Sequence, residues 1–469
     1  MTVTLGVLAY LMLQLSAVAM AWQAVRGART PQGSVGWVVF LLSLPVLAVP
    51  SYLFLGHHRL SGLLVARRDS ARVVTAVQDF SERHRPERAP EMPTGAFEAA
   101  AQFPVVRGNS MTLLIDGRAT FDAIFAAIDG AESYVLVQFY ILRDDRLGRD
   151  LQDRLIAARG RGVSVWVDYD AVGSIGLPES YRRRLVEAGI RVMDPRRDRG
   201  PTRRFQINYR NHRKTVVVDG RVGFIGGHNV GVEYLGESPR FGRWRDTHAA
   251  LRGPVVAQQQ LIFAEDWHYA TGENITDDLS WEPGRHADDM TGLVVATGPG
   301  DGFDTGAMVF FAAIAQARRR VWIATPYFVP DLDTLAALRH AALRGVEVRI
   351  LVPEVIDHRL PWLAAFAYFD EVTAAGVEIW RYTAGFMHQK VILVDDTLAA
   401  VGTANLDNRS FRLNFEAMAL MFDARAAADV EAMLAADFAG AARLERRLSE
   451  QRAGIRYGAP AARLLAPLL

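Results

Sequence analysis

Two short stretches decide the fold: Asn211-His212-Arg213-Lys214-Thr215-Val216-Val217-Val218-Asp219 and His388-Gln389-Lys390-Val391-Ile392-Leu393-Val394-Asp395. In each, a histidine stands two residues before a lysine, and a run rich in valine and isoleucine leads to an aspartate. Such runs favour strands. Alternate residues of a strand share a face, so the histidine and lysine of each stretch are expected to point the same way. The repetition of the pattern predicts an internal duplication.

The lysine content sets these two stretches apart from the rest of the chain. Of the 53 basic residues, only Lys214 and Lys390 are lysines, and all others are arginines. Both lysines fall in the same local pattern, which makes chance retention at the surface a poor explanation. We therefore interpret them as sites where a compact ammonium cannot be replaced by a planar guanidinium.

The flanking sequence repeats as well, with apolar strands alternating with helical stretches. This alternation predicts an α/β fold built as a duplicated, pseudo-symmetric pair of domains. The first copy has a strand from Tyr134 to Ile141, a helix from Leu147 to Ala158 and a strand that ends at Tyr169. The second copy has the corresponding segments Val321 to Phe328, Leu332 to Leu343 and Val346 to Val352.

Each copy carries two further polar residues downstream of its histidine. Asn229 and Asn405 follow a glycine-containing turn, and Asp246 and Glu416 come later, at comparable distances after their motifs. We expect the asparagines to bind substrate phosphate. We expect the carboxylates to orient the histidines by accepting a hydrogen bond from the far ring nitrogen, as in a catalytic triad.

This set of residues suits transfer at a phosphodiester. Negative charge gathers on the non-bridging oxygens in the transition state, where two ammoniums and two amide donors would stabilise it. One histidine can attack phosphorus while the other protonates the departing alkoxide. We therefore predict a catalytic set of His212, Lys214, Asp219, His388, Lys390 and Asp395. The chain has no cysteine, which excludes disulfides, zinc–thiolate sites and a thiol nucleophile.

The N-terminal region predicts a membrane anchor. Leu5 to Trp22 and Val35 to Leu55 are uncharged apolar runs of about 18 and 21 residues, near the length that crosses a bilayer. A short basic connection joins them, so we expect a transmembrane helical hairpin. A cleaved signal peptide is the alternative for the first run, but no basic residue precedes it. Arginines after the second run favour a cytoplasmic catalytic part.

These features predict five segments along the chain. They are an anchor over residues 1–58, an exposed connector over 59–102, a first α/β domain over 103–270, a linker over 271–302 and a second α/β domain over 303–469.

The paired motifs resemble those of the phospholipase D superfamily. More narrowly, the chain is similar to bacterial cardiolipin synthases over nearly its whole length. The segments that carry this likeness are Asn208 to Lys214, Gly226 to Asn229, Trp244 to His248 and Ala404 to Glu416, together with the N-terminal apolar pair. The resemblance implies two phospholipase D-like domains that share an active site at their interface, with no metal and no other cofactor.

The resemblance also implies a reaction and a location. One phosphatidylglycerol gives its phosphatidyl group to a histidine and releases glycerol, and a second phosphatidylglycerol attacks to give cardiolipin. The first motif usually supplies the nucleophile, which points to His212, with His388 as acid and then base. The expected partners are phosphatidylglycerol, other anionic phospholipids and the bilayer of the bacterial inner membrane, through a multi-pass anchor. Oligomeric state is left open.

Three other functions fit parts of the pattern. The first is a phospholipase D-type hydrolase, in which water replaces the second lipid, and the motifs alone do not distinguish it. The second is a nuclease, against which the apolar N-terminus and a net charge of only +1 argue. The third is a non-catalytic membrane scaffold, which two complete motifs disfavour.

Overall fold

A computed structural model describes residues 2–27, 31–56, 71–193 and 208–469. The helices are α1 (Thr2–Gly27), α2 (Pro31–Ser43), α3 (Pro45–Leu55), α4 (Ala71–Arg83), α5 (Gly95–Ala101), α6 (Asp116–Asp129), α7 (Arg146–Gly160), α8 (Glu179–Glu187), α9 (Val255–Thr271), α10 (Thr305–Gln316), α11 (Leu332–Leu343), α12 (Arg359–Thr373), α13 (Asn408–Arg412), α14 (Ala424–Ala439) and α15 (Ala453–Arg463).

The strands of the first copy are β1 (Val106–Ile115), β2 (Tyr134–Phe139), β3 (Ser164–Tyr169), β4 (Arg191–Val192), β5 (Arg210–Asn211), β6 (Thr215–Val218), β7 (Val222–Gly226), β8 (Trp244–Arg245) and β9 (Thr247–Arg252). Those of the second copy are β10 (Met290–Thr297), β11 (Arg320–Ala324), β12 (Phe328–Val329), β13 (Glu347–Pro353), β14 (Glu378–Tyr382), β15 (Phe386–Met387), β16 (Val391–Val394), β17 (Leu398–Gly402), β18 (Leu406–Asp407), β19 (Asn414–Met421) and β20 (Ala441–Arg443).

The sheet order shows the duplication directly. The first copy runs β1-β9-β7-β6-β2-β3-β4, and the second runs β10-β19-β17-β16-β11-β13-β14-β20. Counted outward from β1 and β10, the two series match strand for strand as far as β4 and β14, so that β6 and β16, which follow the two histidine–lysine motifs, take the same place. Antiparallel pairing of β1 with β10 joins the halves into one continuous sheet. The predicted mixed α/β fold with a repeated domain is therefore confirmed.

Three large hydrophobic clusters form the core, and one of them joins the two copies. Helices α6 to α8 pack on one outer face of the first copy, and α10 to α12 pack on the corresponding face of the second. The third cluster takes residues from both copies, including α9 and α14. Burial of one shared apolar core by both copies fixes their relative position. This matters for the site, which draws on both.

The N-terminal region, as far as the structure describes it, provides one candidate membrane-spanning helix, where the sequence predicts a hairpin of two spans. One helix among the described residues, over Leu5–Gly27, is long and apolar enough to cross a membrane. The second apolar run is divided into α2 and α3, because Pro45 lacks an N–H and Leu44 adopts non-helical angles of φ −136° and ψ 59°. The three helices pack together through a small cluster that includes Ala17, Ala21 and Leu41.

Two of the predicted boundaries need correction. The end of the predicted exposed connector is helix α5, whose Phe97 is fully buried and packs against Phe422 of the second copy at 5.3 Å between ring centroids. The predicted linker over 271–302 contains β10, a strand in the middle of the sheet. The many glycine and aspartate residues around β10 conceal its apolar pattern.

The prediction of a cytoplasmic catalytic part depends on arginines that follow the second apolar run. Of these, Arg59, Arg67 and Arg68 lie outside the described residues.

Asp219 and Asp395 end their strands and bind backbone amides. The Asp219 carboxylate accepts hydrogen bonds from the N–H groups of Glu132, Ser133 and Tyr134 at 2.8 to 2.9 Å. Asp395 does the same for three consecutive residues, Arg318 to Arg320, at 2.8 to 2.9 Å. Both aspartates have a positive φ, of 53° and 50°.

This position differs from the catalytic role that the sequence analysis assigns to these aspartates. A strand of four residues separates each aspartate from its lysine, a length of roughly 13 Å at the usual rise per residue. Each aspartate instead anchors the loop that enters the central strand of its copy, β2 or β11. We therefore interpret Asp219 and Asp395 as structural residues.

We predict that Asp219→Asn or Asp395→Asn lowers stability more than turnover. Loss of charge-assisted hydrogen bonds worth about 2 kcal/mol should reduce the thermal midpoint by roughly 4 to 8 °C. Activity per folded molecule should stay within about twofold. The measurement is thermal unfolding beside specific activity, with Asp396→Asn, an exposed neighbour, as the control. An inactive variant with an unchanged midpoint would restore the catalytic assignment.

Candidate active site

Each histidine lies on a segment that is paired with the other copy. Strand β5 pairs in parallel with β19, and the His212 N–H donates to the carbonyl of Phe415 at 3.0 Å. Strand β8 pairs in parallel with β15, and the His388 N–H donates to the carbonyl of Arg245 at 2.8 Å. Each of these carbonyls directly precedes a carboxylate residue, so both histidines are held next to a carboxylate of the opposite copy.

The imidazole of His212 is bound by Glu416 of the second copy. Its Nδ1 lies 2.9 Å and 3.0 Å from the two carboxylate oxygens. Thr403, Ser410 and Asn414 donate further hydrogen bonds to the same carboxylate at 2.6 to 3.1 Å. The carboxylate is fully buried and is fixed by several donors, so it holds the ring in one orientation.

The imidazole of His388 is bound by Asp246 of the first copy. Its Nδ1 lies 2.9 Å from Asp246 Oδ2, and the indole N–H of Trp244 donates to the same oxygen at 3.3 Å. The other oxygen accepts the backbone N–H of Thr247 at 2.8 Å. Since Nδ1 of each histidine is occupied, Nε2 is the ring nitrogen available to a substrate.

Both lysines are buried beneath the histidines. Lys214 Nζ donates to the backbone carbonyl of His212 at 2.6 Å and lies 5.5 Å from the centre of the Tyr140 ring. Lys390 Nζ makes the equivalent bond to the carbonyl of His388. Their side chains are at most 1% exposed. In so buried a position a broader guanidinium would have to displace neighbouring groups, which gives a physical reason for the retention of lysine in an arginine-rich chain.

One cavity of about 540 Å³ contains both histidines and both asparagines of the repeated pattern. Asn229 is fixed there by a bond from its Nδ2 to the Tyr234 hydroxyl at 3.0 Å. Asn405 Nδ2 bonds to Asp407 at 3.1 Å, while its buried Oδ1 has no partner among the described residues. Nowhere in the described part of the chain do three or more histidine, aspartate or glutamate side chains form a group that could hold a metal ion.

Burial and neighbouring charges shift the pKa values of both histidines and of the two carboxylates that bind them. Burial, with Lys214 and Lys390 nearby, holds the pKa of His212 well below its usual value. Burial and Lys390 lower the pKa of His388 to about 4. Burial raises the pKa of Glu416 to about 7. Burial alone would also raise the pKa of Asp246, but His228, His388 and Lys390 together outweigh it and lower that pKa.

The lysine pKa values are also lowered, because burial penalises the ammonium. The pKa of Lys214 falls to about 7, and that of Lys390 falls to about 8. A bound phosphate anion would favour the charged form of each lysine, because it adds to the negative charge of Glu416 and Asp246 that already acts in that direction.

The structure thus brings eight of the ten predicted site residues together and places Asp219 and Asp395 elsewhere. The sequence does not predict that the histidine–carboxylate pairs cross between copies, nor that Thr403, Ser410 and Asn414 hold Glu416. Their only signal is that Ser410 and Asn414 lie in the quoted segment that ends at Glu416.

Comparison with known proteins gives the same family throughout the chain. The family described as "Cardiolipin synthase, PLD-like domain" matches residues 124–238 and 310–438. A cardiolipin synthase A of Pseudomonas aeruginosa is 45% identical over 459 residues, which cover 96% of this chain and 93% of that protein. A cardiolipin synthase A of Pseudomonas putida is 44% identical over 472 residues, covering 98% and 97% of the two chains.

A solved structure supports the fold alone. The crystal structure of a phosphatidylserine synthase from Haemophilus influenzae superposes with a TM-score of 0.58 at 15% identity, covering 80% of this chain and 99% of that one. The site geometry, the two matched segments and the 44 to 45% identity over nearly the full length lead to one conclusion. The chain belongs to the cardiolipin synthase family of proteins with repeated phospholipase D-like domains.

Proposed function

We propose that this protein is a phosphatidyltransferase that makes cardiolipin and glycerol from two molecules of phosphatidylglycerol. The observation that carries the proposal is the pair of reciprocal histidine–carboxylate bonds, His212 with Glu416 and His388 with Asp246, at one cavity. Two histidines on one phosphorus provide a nucleophile and an acid–base group, which is what double displacement requires.

In the first step, Nε2 of His212 attacks the phosphorus of the donor lipid. A P–N bond forms, the P–O bond to glycerol breaks, and protonated His388 gives its proton to the departing oxygen. Lys214 and Lys390 stabilise the negative charge on the non-bridging oxygens, with Asn229 and Asn405 as neutral donors. The products are a phosphatidyl-histidine and free glycerol.

In the second step, a hydroxyl of another phosphatidylglycerol attacks the same phosphorus. His388, now neutral, takes the hydroxyl proton as the new P–O bond forms. The P–N bond breaks and its electron pair returns to His212. Cardiolipin leaves, and both histidines regain their starting states, so the cycle consumes no further reactant.

The unequal carboxylates support this division of labour. Asp246, whose pKa is lowered, keeps its negative charge beside His388 and stabilises the imidazolium that a general acid needs. Glu416, whose pKa is raised to about 7, provides less negative charge beside His212. A neutral His212 is the form that can attack. The family resemblance implies the same assignment, since the first motif usually supplies the nucleophile.

The cavity wall supports a lipid substrate. Leu360, Pro361, Leu468 and Leu469 line it together with the catalytic polar groups, so one side can contact acyl chains. We also propose that α1 anchors the protein in a membrane, with α2 and α3 packed against it. Many apolar side chains of these helices point outward, including Leu8 at 57% and Leu15 at 70% exposure, as expected for contact with lipid. We further propose that α2 and α3 together return through the membrane to complete a two-pass hairpin, with the catalytic part on the cytoplasmic side.

Lipid analysis of a host that lacks its own cardiolipin tests the proposed function. Expression of the chain should restore cardiolipin, and purified protein with phosphatidylglycerol should release one glycerol for each cardiolipin formed. His212→Ala serves as the matched inactive control. Phosphatidic acid as the main product would identify a hydrolase instead, and an unchanged lipid profile would contradict the proposal.

We predict that kcat/KM falls as pH rises through about 7 to 8. Lys214 and Lys390 are charged below their lowered pKa values of about 7 and about 8 and lose their protons above them. His388, whose pKa is lowered to about 4, loses its proton over a lower pH range, so the fall through pH 7 to 8 reports the two lysines. The measurement is the pH profile of kcat/KM with phosphatidylglycerol in mixed micelles. A profile that stays flat well above pH 8 would show that these ammoniums are not needed in that form.

A further inference from the structure

The cavity has different charges beside its two histidines. Arg409 lies on the His212 side, where its charge lowers the pKa of that histidine. Asp357 lies on the His388 side, where its charge acts to raise the pKa of His388. A carboxylate repels a phosphodiester, so Asp357 cannot serve the scissile phosphate. It suits a neutral group that donates hydrogen bonds through hydroxyls.

The chemistry proposed above, on which this inference rests, places glycerol on the same side. In-line displacement puts the entering and departing groups on opposite sides of phosphorus. If His212 attacks from one side, glycerol leaves towards His388. The hydroxyl of the acceptor lipid must then enter where glycerol left, next to the base that takes its proton.

Asp357 is held in a fixed position by its neighbours. The Tyr327 hydroxyl donates to one of its oxygens, and the backbone N–H of His358 donates to the other at 2.6 Å. The rings of Tyr327 and His358 stack with centroids 6.1 Å apart. Each carboxylate oxygen retains a further lone pair, and the Tyr327 oxygen can accept a bond as well. Together these oxygens can accept a hydrogen bond from a free hydroxyl of a glycerol head group.

Arg240 also lines the cavity, next to Asp357. Its Nη2 donates to the backbone carbonyl of Asp357 at 3.2 Å, and its guanidinium stacks on the Phe241 ring at 4.7 Å. Within the part of the chain that the structure describes, it pairs with no carboxylate. By contrast, Arg143 on the same cavity pairs with Glu233 at 2.6 Å. Arg240 is therefore available to an anion next to the proposed glycerol site.

We propose that Asp357, Tyr327 and Arg240 form the subsite for the acceptor lipid. Asp357 and Tyr327 bind the glycerol hydroxyl that does not react, and Arg240 binds the phosphate that the acceptor already carries. In cardiolipin one glycerol joins two phosphates, and Arg240 lies next to Asp357, so the subsite can hold both the glycerol and the phosphate of the acceptor. The subsite favours a lipid acceptor over water, so it makes the enzyme a synthase rather than a hydrolase.

An assay with three different acceptors for the phosphatidyl group tests the parts of this subsite one by one. The acceptors are water, radiolabelled glycerol in head-group exchange, and phosphatidylglycerol. Arg240→Gln should lower transfer to phosphatidylglycerol about tenfold, mainly through a raised KM for the acceptor, because one charge-assisted hydrogen bond is lost. Exchange with free glycerol, which carries no phosphate, should change by less than about twofold.

Asp357→Asn and Tyr327→Phe should lower both glycerol exchange and transfer to phosphatidylglycerol. The share of donor lipid that is hydrolysed should rise, because water does not need the subsite. Arg154→Gln is the matched control, since Arg154 also stacks on a phenylalanine, Phe125, at 4.7 Å but lies on the outer helical layer. It should leave the product ratio unchanged.

Two results would overturn the proposal. One is an equal loss of all three reactions in Arg240→Gln, which would indicate a general structural role. The other is unchanged transfer to phosphatidylglycerol in both Arg240→Gln and Asp357→Asn. Failure of the proposed function is distinct from either, because the wild-type protein would then form no cardiolipin at all.

Discussion

The two bonds from His212 to Glu416 and from His388 to Asp246 are the interactions on which the structure of the site depends. Each joins a histidine of one copy to a carboxylate of the other, and each is preceded by a backbone bond between the same two segments. The site therefore exists only when the copies are docked. The continuous sheet and the shared central core serve this end, because imidazole orientation requires the two halves to hold one relative position.

Burial of the charged groups of this site costs free energy. Ion pairs between buried side chains next to the site offset part of that cost. Arg213 bonds to Asp266 and to the Glu416 carbonyl, while Arg245 binds Asp437 of the second copy through two bonds of 2.7 Å. Both arginines neighbour a catalytic segment. Removal of one partner would leave an uncompensated buried charge, worth about 3 to 5 kcal/mol. Among the described residues neither lysine forms an ion pair, and each ammonium instead donates to a backbone carbonyl. Burial without such a pair is consistent with their lowered pKa values.

The sequence predicted the parts of this molecule that local pattern determines. The duplicated strands and helices follow from apolar periodicity, and helix α11 occupies the predicted residues, Leu332 to Leu343. Lys214 and Lys390 were identified by composition alone. Local pattern could not show that Glu416 serves His212, because that contact joins residues 204 positions apart. Nor could it show that Asp219 turns away to bind amides, or that Pro45 divides the second apolar run. Those outcomes depend on docking, capping and helix geometry.

Mapping of the phosphatidyl adduct tests the crossed pairing most directly. The donor would be a lipid with a good leaving group, which needs no general acid, and the adduct would be located by mass spectrometry of peptides. The crossed arrangement predicts an adduct on His212 whose formation slows by roughly 10²-fold or more in Glu416→Gln. In Asp246→Asn the adduct should form readily and accumulate, because its transfer to phosphatidylglycerol requires His388. An adduct on His388, or slow formation in Asp246→Asn with normal formation in Glu416→Gln, would contradict the account.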